Sequence, residues 1–154
     1  MKKIILTVAA FFAFGIGTGF AAPINNLANG QTAVGYLHDS LYIEHKLNNN
    51  LTLGLEKHDI YGQYAITNNI RAIIGSRDYH SDSSIYVGAA YNTSLAPNID
   101  GYVSLVGSSD FAEAQVGANV NVAPNVDINV DYTAFRPDHG SDRNRFGLGA
   151  TFKF

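Results

Sequence analysis

Apolar and polar side chains alternate with a period of two along most of the chain after residue 30. The alternation is clearest at 51–56, 112–122, 126–134 and 146–154, where every second position is aliphatic or aromatic and the positions between are mostly small or polar. Successive side chains of a β-strand point to opposite faces of the sheet. The pattern therefore predicts strands that each have one apolar face.

Four short segments at 47–52, 66–71, 95–100 and 122–127 share one form: an aliphatic residue, a tight Asn or Pro-Asn turn, and a second aliphatic residue. Asn tolerates left-handed backbone and Pro presets φ, so these segments predict hairpin turns. More polar connections, around 38–39, 57–59, 77–84, 107–110 and 136–145, alternate with them. The predicted strands, ten with eight as the alternative, are 31–37, 40–47, 51–57, 60–67, 70–77, 84–95, 99–107, 111–122, 126–135 and 145–154.

The first residues have the layout of an export signal. Lys2 and Lys3 precede an apolar run, 4–20, that ends in small residues. This layout predicts a signal peptide over 1–21, cleaved after Ala21, with cleavage after Ala22 and an uncleaved anchor as the alternatives. A short periplasmic segment, 22–30, would then precede a barrel over 31–154. No later window approaches the ~18 apolar residues of a membrane helix, so any further membrane spanning must use strands.

Composition decides which way the apolar faces point. Charged residues make up 15% of the chain, whereas a soluble domain carries roughly 25%. Small residues such as Ala112, Ala114 and Ala118 on the apolar face would leave gaps in a packed core, but lipid tolerates them. A sheet in hydrocarbon must close, because an open edge leaves backbone groups unpaired. We therefore predict an all-β, closed, antiparallel, up-and-down transmembrane β-barrel; a soluble lipocalin-like barrel is the rival.

The final stretch, from Phe146 to Phe154, resembles the terminal signature of bacterial outer-membrane β-barrels. The chain after the signal peptide is similar to the small barrels of the OmpA, OmpX and opacity-protein type. The resemblance implies that both termini face the periplasm and that the assembly machinery of the outer membrane recognises the last strand. The residues that would form this assembly signal are Phe146, Leu148, Ala150, Phe152 and Phe154. The chain departs from this group in having no Trp, and Phe111 and Phe135 are predicted to point inward at the outer rim.

Charges of both signs fall on the predicted inner face. A barrel of eight to ten strands has an interior just wide enough for side chains to fill it. We expect these groups to pair and plug the lumen, with a narrow water-filled path as the alternative. They are Glu44, Lys46, Glu56, Arg71, Arg77, Glu113, Asp127, Asp131 and Lys153.

Most of the His residues lie in the predicted outer connections, each with an Asp nearby. Imidazole and carboxylate groups bind zinc and similar ions, and they serve as acids and bases in hydrolases. Solvated loops without such a role are the simpler interpretation. The rim candidates are His38, His58, Asp59, Asp78, His80, Asp82, Asp138 and His139. In the most polar loop, Arg143 and Arg145 could contact lipopolysaccharide phosphates, while His45 falls on the apolar side of its strand.

Several classes of function are excluded or disfavoured. The absence of Cys excludes disulfides and thiol nucleophiles, and a net charge of −3 gives no basic field for nucleic acid. We expect a monomeric, non-enzymatic structural or surface protein of the outer membrane. Its expected partners are outer-membrane lipid, lipopolysaccharide and the assembly machinery, and no cofactor is expected. The alternatives are a narrow porin and a metal-binding or enzymatic rim.

Overall fold

The computed structural model describes residues 21–79 and 82–154. The predicted signal peptide, apart from Ala21, and the rim candidate His80 lie outside these residues. The strands are Thr32–Leu37 (β1), Ser40–Lys46 (β2), Leu51–Glu56 (β3), Asp59–Ala65 (β4), Ile70–Tyr79 (β5), Asp82–Ala96 (β6), Ile99–Gly107 (β7), Phe111–Ala123 (β8), Val126–Pro137 (β9) and Arg143–Lys153 (β10). No helix in this part of the chain is long and apolar enough to cross a membrane.

The strands form one closed antiparallel barrel. Each strand pairs with its neighbours in sequence, and β1 pairs with β10 through Ala33–Tyr36 and Ala150–Lys153. The prediction of ten strands rather than eight is confirmed. The turn at His38 and Asp39 has positive φ at both residues, which is the backbone of a two-residue hairpin whose twist matches that of the flanking strands.

The barrel has two different ends. The loop end carries the connections 38–39, 57–58, 108–110 and 138–142, and the termini end carries the turns 47–50, 66–69, 97–98 and 124–125. The wall between them is uneven. Strands β1 to β4 have six or seven residues each, whereas β5 to β10 have 9 to 15.

Polarity is inverted relative to a soluble protein. Inward positions of the strands are mostly polar, and the buried ones include Thr52, Gln63, Asn92, Gln115, Asn119, Asn129, Thr133 and Thr151. The outer surface exposes large apolar side chains from every strand except β2, among them Tyr36, Leu53, Leu55, Ile60, Tyr64, Ile74, Ile85, Val87, Tyr91, Val103, Leu105, Val116, Tyr132, Phe146, Leu148 and Phe152. Such an outer surface requires a hydrophobic solvent.

Four inward tyrosines lie against glycines directly opposite them on the neighbouring strand. These cross-strand pairs are Gly35 with Tyr42, Gly54 with Tyr61, Gly75 with Tyr86, and Gly117 with Tyr102. A Cβ added to any of these glycines would lie 2.2–2.5 Å from the tyrosine ring. Each ring therefore lies flat on the wall where a side chain is missing, and its hydroxyl reaches into the lumen.

Candidate functional site in the barrel lumen

The loop half of the lumen is organised around Arg77. Its Nε lies 2.9 Å from Asp59 Oδ2, and its Nη1 lies 3.0 Å from Glu113 Oε2. The Tyr86 hydroxyl donates a hydrogen bond of 2.7 Å to the second oxygen of Asp59. Glu56 is buried within electrostatic range of Arg77 and Asp59. The Arg77 guanidinium thus pairs with the carboxylates of Asp59 and Glu113, and all of these groups are buried.

Aromatic side chains cover this network at the loop end. Phe111 and Phe135 stack with ring centroids 5.2 Å apart, and Tyr86 packs against Phe111 at 5.9 Å. The Arg77 guanidinium carbon lies 5.0 Å from the centre of the Phe111 ring and 5.3 Å from that of Tyr86, within cation–π range. The two phenylalanines are buried inside the barrel, on the side that strand parity predicts, and they pack over the Arg77 network at the loop end.

Asp131 forms a second buried centre near the middle of the barrel. Its Oδ2 accepts hydrogen bonds from Gln115 Nε2 at 2.8 Å and Thr133 Oγ1 at 2.9 Å, and lies 2.7 Å from His38 Nε2. The sequence predicts His38 at the outer rim, because it lies in a predicted outer connection. The structure instead turns it into the lumen. Leu37 faces inward, so strand parity alone would point His38 outward, but the left-handed turn at His38 reverses its direction.

Glu44 is the centre of the termini half of the lumen. Its carboxylate accepts hydrogen bonds from Asn25 Nδ2 at 2.8 Å, Tyr61 OH at 2.9 Å and Gln63 Nε2 at 2.9 Å. A chain of side-chain hydrogen bonds runs from Asn119 on β8 through Asn129 and Thr151 to the Tyr42 hydroxyl on β2. The two sets meet where Asn25 also reaches the Tyr42 hydroxyl.

The segment before β1 lies inside the barrel. The sequence predicts that 22–30 is a short periplasmic segment, whereas residues 22–25 and Leu27 are buried. Gln115 and Asn119 on β8 donate hydrogen bonds to the carbonyls of Ala21 and Ile24, at 3.1 and 2.8 Å. Ala22 and Ile24 belong to a buried apolar cluster with inward side chains of the wall. The segment therefore fills the lumen from its middle to the termini end, and we call residues 21–27 the plug.

Arg71 fixes the plug at the termini end. It donates to the Asn25 carbonyl at 2.8 Å, to Asn26 Oδ1 at 2.7 Å and to Gln63 Oε1 at 3.0 Å. Asn26 also donates to Asp100 at 2.9 Å. The sequence predicts that Arg71 pairs directly with carboxylates. In the structure its hydrogen bonds go to the plug and an amide, because the plug occupies the space between Arg71 and the carboxylates.

The remaining predicted lumen charges lie near the termini mouth. Lys153 Nζ lies 2.5 Å from Asp127 Oδ2, and Asp127 also accepts a hydrogen bond from Asn121. Lys46 is partly exposed there. The nine predicted lumen charges thus do not form one network, because the plug and the neutral amides separate the loop half from the termini mouth.

The rim candidates that the structure describes do not form one cluster. Asp59 faces inward and binds Arg77, while His58, Asp78, Asp82, Asp138 and His139 are exposed. Asp78 and Asp82 lie at the ends of β5 and β6, and Asp138 and His139 are neighbours in the loop before β10. Among the described residues, no three His, Asp or Glu side chains are grouped closely enough to hold a metal ion. Of the two arginines that could contact lipopolysaccharide phosphates, Arg145 contacts Asp39 across the β1–β10 seam. Hydrogen bonds from Arg145 and Tyr36 hold the pKa of Asp39 below its ordinary value.

The residues of the predicted assembly signal share the outward face of β10. Phe146, Leu148 and Phe152 are exposed, Ala150 is half-buried on the same face, and Phe154 is exposed just beyond the strand. His45 also lies on the outward side, where its ring is hydrogen-bonded to Thr32 at 2.9 Å.

Little space is left inside the barrel. Beside Ala21, Ala22 and Ile24, the plug leaves a cavity of about 20 Å³ that Asp59 and Tyr86 also line. That volume holds about one water molecule. Around this cavity the described residues form a packed, largely polar interior, and this arrangement can hold the wall strands together.

Comparison with protein-family models and with curated proteins finds no match. Three solved structures are similar in fold. A structure titled "De novo design of transmembrane beta-barrels" is 18% identical, with 83% of this chain and 98% of that chain covered and a TM-score of 0.44. The N-terminal β-barrel domain of Pseudomonas aeruginosa OprF is 12% identical, with 82% and 98% covered and a TM-score of 0.40. Ail, the attachment invasion locus protein of Yersinia pestis, is 18% identical, with 82% and 100% covered and a TM-score of 0.42.

The class of the protein follows from its own geometry. A sheet that spans a bilayer must pair all its backbone groups and present apolar side chains to lipid. A closed antiparallel sheet with an apolar exterior and a polar, hydrogen-bonded interior meets both conditions. The chain is therefore a small ten-stranded transmembrane β-barrel, the fold that the resemblance of its sequence implies.

Proposed function

We propose that this protein is an exported, integral outer-membrane barrel with a structural or surface role and a closed lumen. The observation that carries the proposal is the inverted polarity: apolar side chains cover the outside, whereas ion pairs, amide networks and the plug fill the inside. In this role the barrel is monomeric and non-enzymatic, with its loop end facing outward toward lipopolysaccharide.

The membrane part of this proposal is tested in two ways. Unheated protein from a membrane fraction should migrate differently from boiled protein in electrophoresis. A nitroxide attached to a cysteine at Leu148 should be accessible to oxygen dissolved in the bilayer, and the same label at His139 should be accessible to a water-soluble relaxation agent. Recovery of the protein in the aqueous fraction without detergent, or a buried and immobile label at Leu148, would support the soluble-barrel rival instead.

The closed lumen is tested by electrical recording. With insertion verified by gel mobility, planar bilayers containing the protein should stay silent, because the plug and the aromatic side chains of Phe111 and Phe135 fill the lumen. Reproducible ion-selective steps would favour the narrow porin. A rise in the thermal midpoint with zinc that is lost in a His58→Ala, His80→Ala double variant would favour the metal-binding rim.

A further inference from the structure

Among the described residues, the loop half and the middle of the lumen contain more buried acid than base. Glu56, Asp59, Glu113 and Asp131 are all at most 5% exposed. Arg77 pairs with two of these carboxylates and His38 with a third. In the described part of the chain, Glu56 Oε2 and Asp131 Oδ1 are buried without a hydrogen-bond partner. A buried carboxylate is costly unless cations or donors compensate it. These four carboxylates face one arginine and one histidine, so a further cation would stabilise the cluster.

The plug begins beside these carboxylates. The backbone nitrogen of Ala21 donates a hydrogen bond of 3.2 Å to Glu113 Oε1. The Ala21 carbonyl accepts one of 3.1 Å from Gln115 Nε2, which also donates to Asp131 Oδ2 at 2.8 Å. The nitrogen of Ala22 is bonded to that carbonyl carbon. In a chain that begins at Ala22, the terminal ammonium is the next backbone nitrogen after the Ala21 nitrogen that contacts Glu113. The ammonium therefore lies close to the Glu113 carboxylate.

We infer that removal of the signal peptide supplies a further cation: the α-ammonium of Ala22 replaces the Ala21 amide as the donor to Glu113 Oε1, and it holds the plug in the lumen. The inference rests on the proposed export and on cleavage after Ala21. Before cleavage the same nitrogen is a neutral amide. Cleavage breaks the Ala21–Ala22 peptide bond by adding water, and the freed amine takes up a proton. Closure of the lumen is then strongest in the processed chain.

A chemical change of one group tests this inference. The chain contains no Cys, so an Ile24→Cys variant reports the plug alone through its reaction with a polar maleimide. The chain from residue 22 is prepared with a free amine, and again with the amine acetylated by a co-expressed N-terminal acetyltransferase. Both are refolded into detergent micelles and checked for gel mobility. The acetyl group has the atoms of the Ala21 Cα, carbonyl carbon and oxygen, for which the structure has room, so acetylation removes the charge without a steric clash. Its carbonyl also offers Gln115 Nε2 the acceptor that Ala21 provides, so any loosening of the plug after acetylation reports the lost charge.

We expect Cys at position 24 to react slowly in the free-amine chain and at least roughly tenfold faster after acetylation, since hydrogen bonds to charged groups are the stronger class. An Ala28→Cys control lies at an exposed position and should react equally fast in both preparations. In a Glu113→Gln background the effect of acetylation should shrink. Equal rates at position 24 in the two preparations would overturn the inference, as would an undiminished effect of acetylation in Glu113→Gln. Failure to insert into vesicles would instead refute the proposed function, while the labelling contrast in micelles would stand.

Discussion

Replacing Gly54 by Ala should strongly destabilise the barrel. The new Cβ would lie 2.2 Å from Tyr61 Cζ and 2.3 Å from its Cε2, so the ring must move. The ring cannot move without cost, because its hydroxyl donates to the buried Glu44 carboxylate at 2.9 Å. Overpacking of a core costs about 1–3 kcal/mol, and loss of a hydrogen bond to a charged group costs about 1.5–3 kcal/mol. The expected total is a loss of about 3–5 kcal/mol in the free energy of unfolding.

Gly62 provides the matched control. It lies on the adjacent strand β4 and points outward, and a Cβ there would meet no atom closer than Leu53 Cδ2 at 3.6 Å. Gly62→Ala should therefore change the free energy of unfolding by less than about 1 kcal/mol. Adding Tyr61→Leu to Gly54→Ala removes the ring that clashes, so the double variant should be more stable than the sum of the two single effects predicts.

Urea unfolding in lipid vesicles measures these differences. The chain has no Trp, so the folded fraction is followed by gel mobility without heating and by far-ultraviolet circular dichroism. If Gly54→Ala proved no less stable than Gly62→Ala, the close approach of ring and backbone described for the four tyrosine–glycine pairs would be wrong.

Three further changes probe the lumen and the last strand. Arg77→Leu leaves two buried carboxylates unpaired and should cost about 3–5 kcal/mol in the same unfolding assay, whereas Arg136→Leu, which removes a solvent-exposed ion pair, should cost less than about 1 kcal/mol. Arg71→Leu removes the donors that hold the plug at the termini end, so maleimide labelling of Ile24→Cys should accelerate; an unchanged rate would show that other contacts suffice. Phe154→Ala should lower the amount of folded protein that accumulates in the outer membrane but leave refolding into vesicles unchanged, and equal effects on both would argue against recognition of the last strand.

Much of the wall could be predicted from the sequence, because two local rules determine it. Alternation assigns each strand residue to a face, and Asn or Pro-Asn turns mark where the chain reverses. The observed strands begin and end within a few residues of the predicted ones, and parity placed Phe111 and Phe135 inside. Closure follows from the demand that every backbone group be paired in lipid.

The plug could not be predicted in this way. Residues 22–30 have no periodicity, and their contacts depend on which wall residues closure brings together. One signal was present in β5, where Ala72, Ile73 and Ile74 form an apolar run that breaks the alternation. Ile73 faces inward and is buried in the same apolar cluster as Ala22 and Ile24. The tyrosine–glycine pairs were missed for a related reason, since they depend on the exact register of neighbouring strands.

The uneven height of the wall has a consequence for the surrounding membrane. At about 3.3 Å per residue and a tilt near 40°, strands of six or seven residues span only about 15–18 Å along the bilayer normal, against an apolar band of about 25 Å. The 13 residues of β8 span about 33 Å by the same arithmetic. Acyl chains beside β1 to β4 must shorten to match the short strands. This hydrophobic mismatch makes the bilayer thinner on that side of the barrel than beside the longer strands. The barrel should accordingly fold more readily in short-chain than in long-chain phosphatidylcholine.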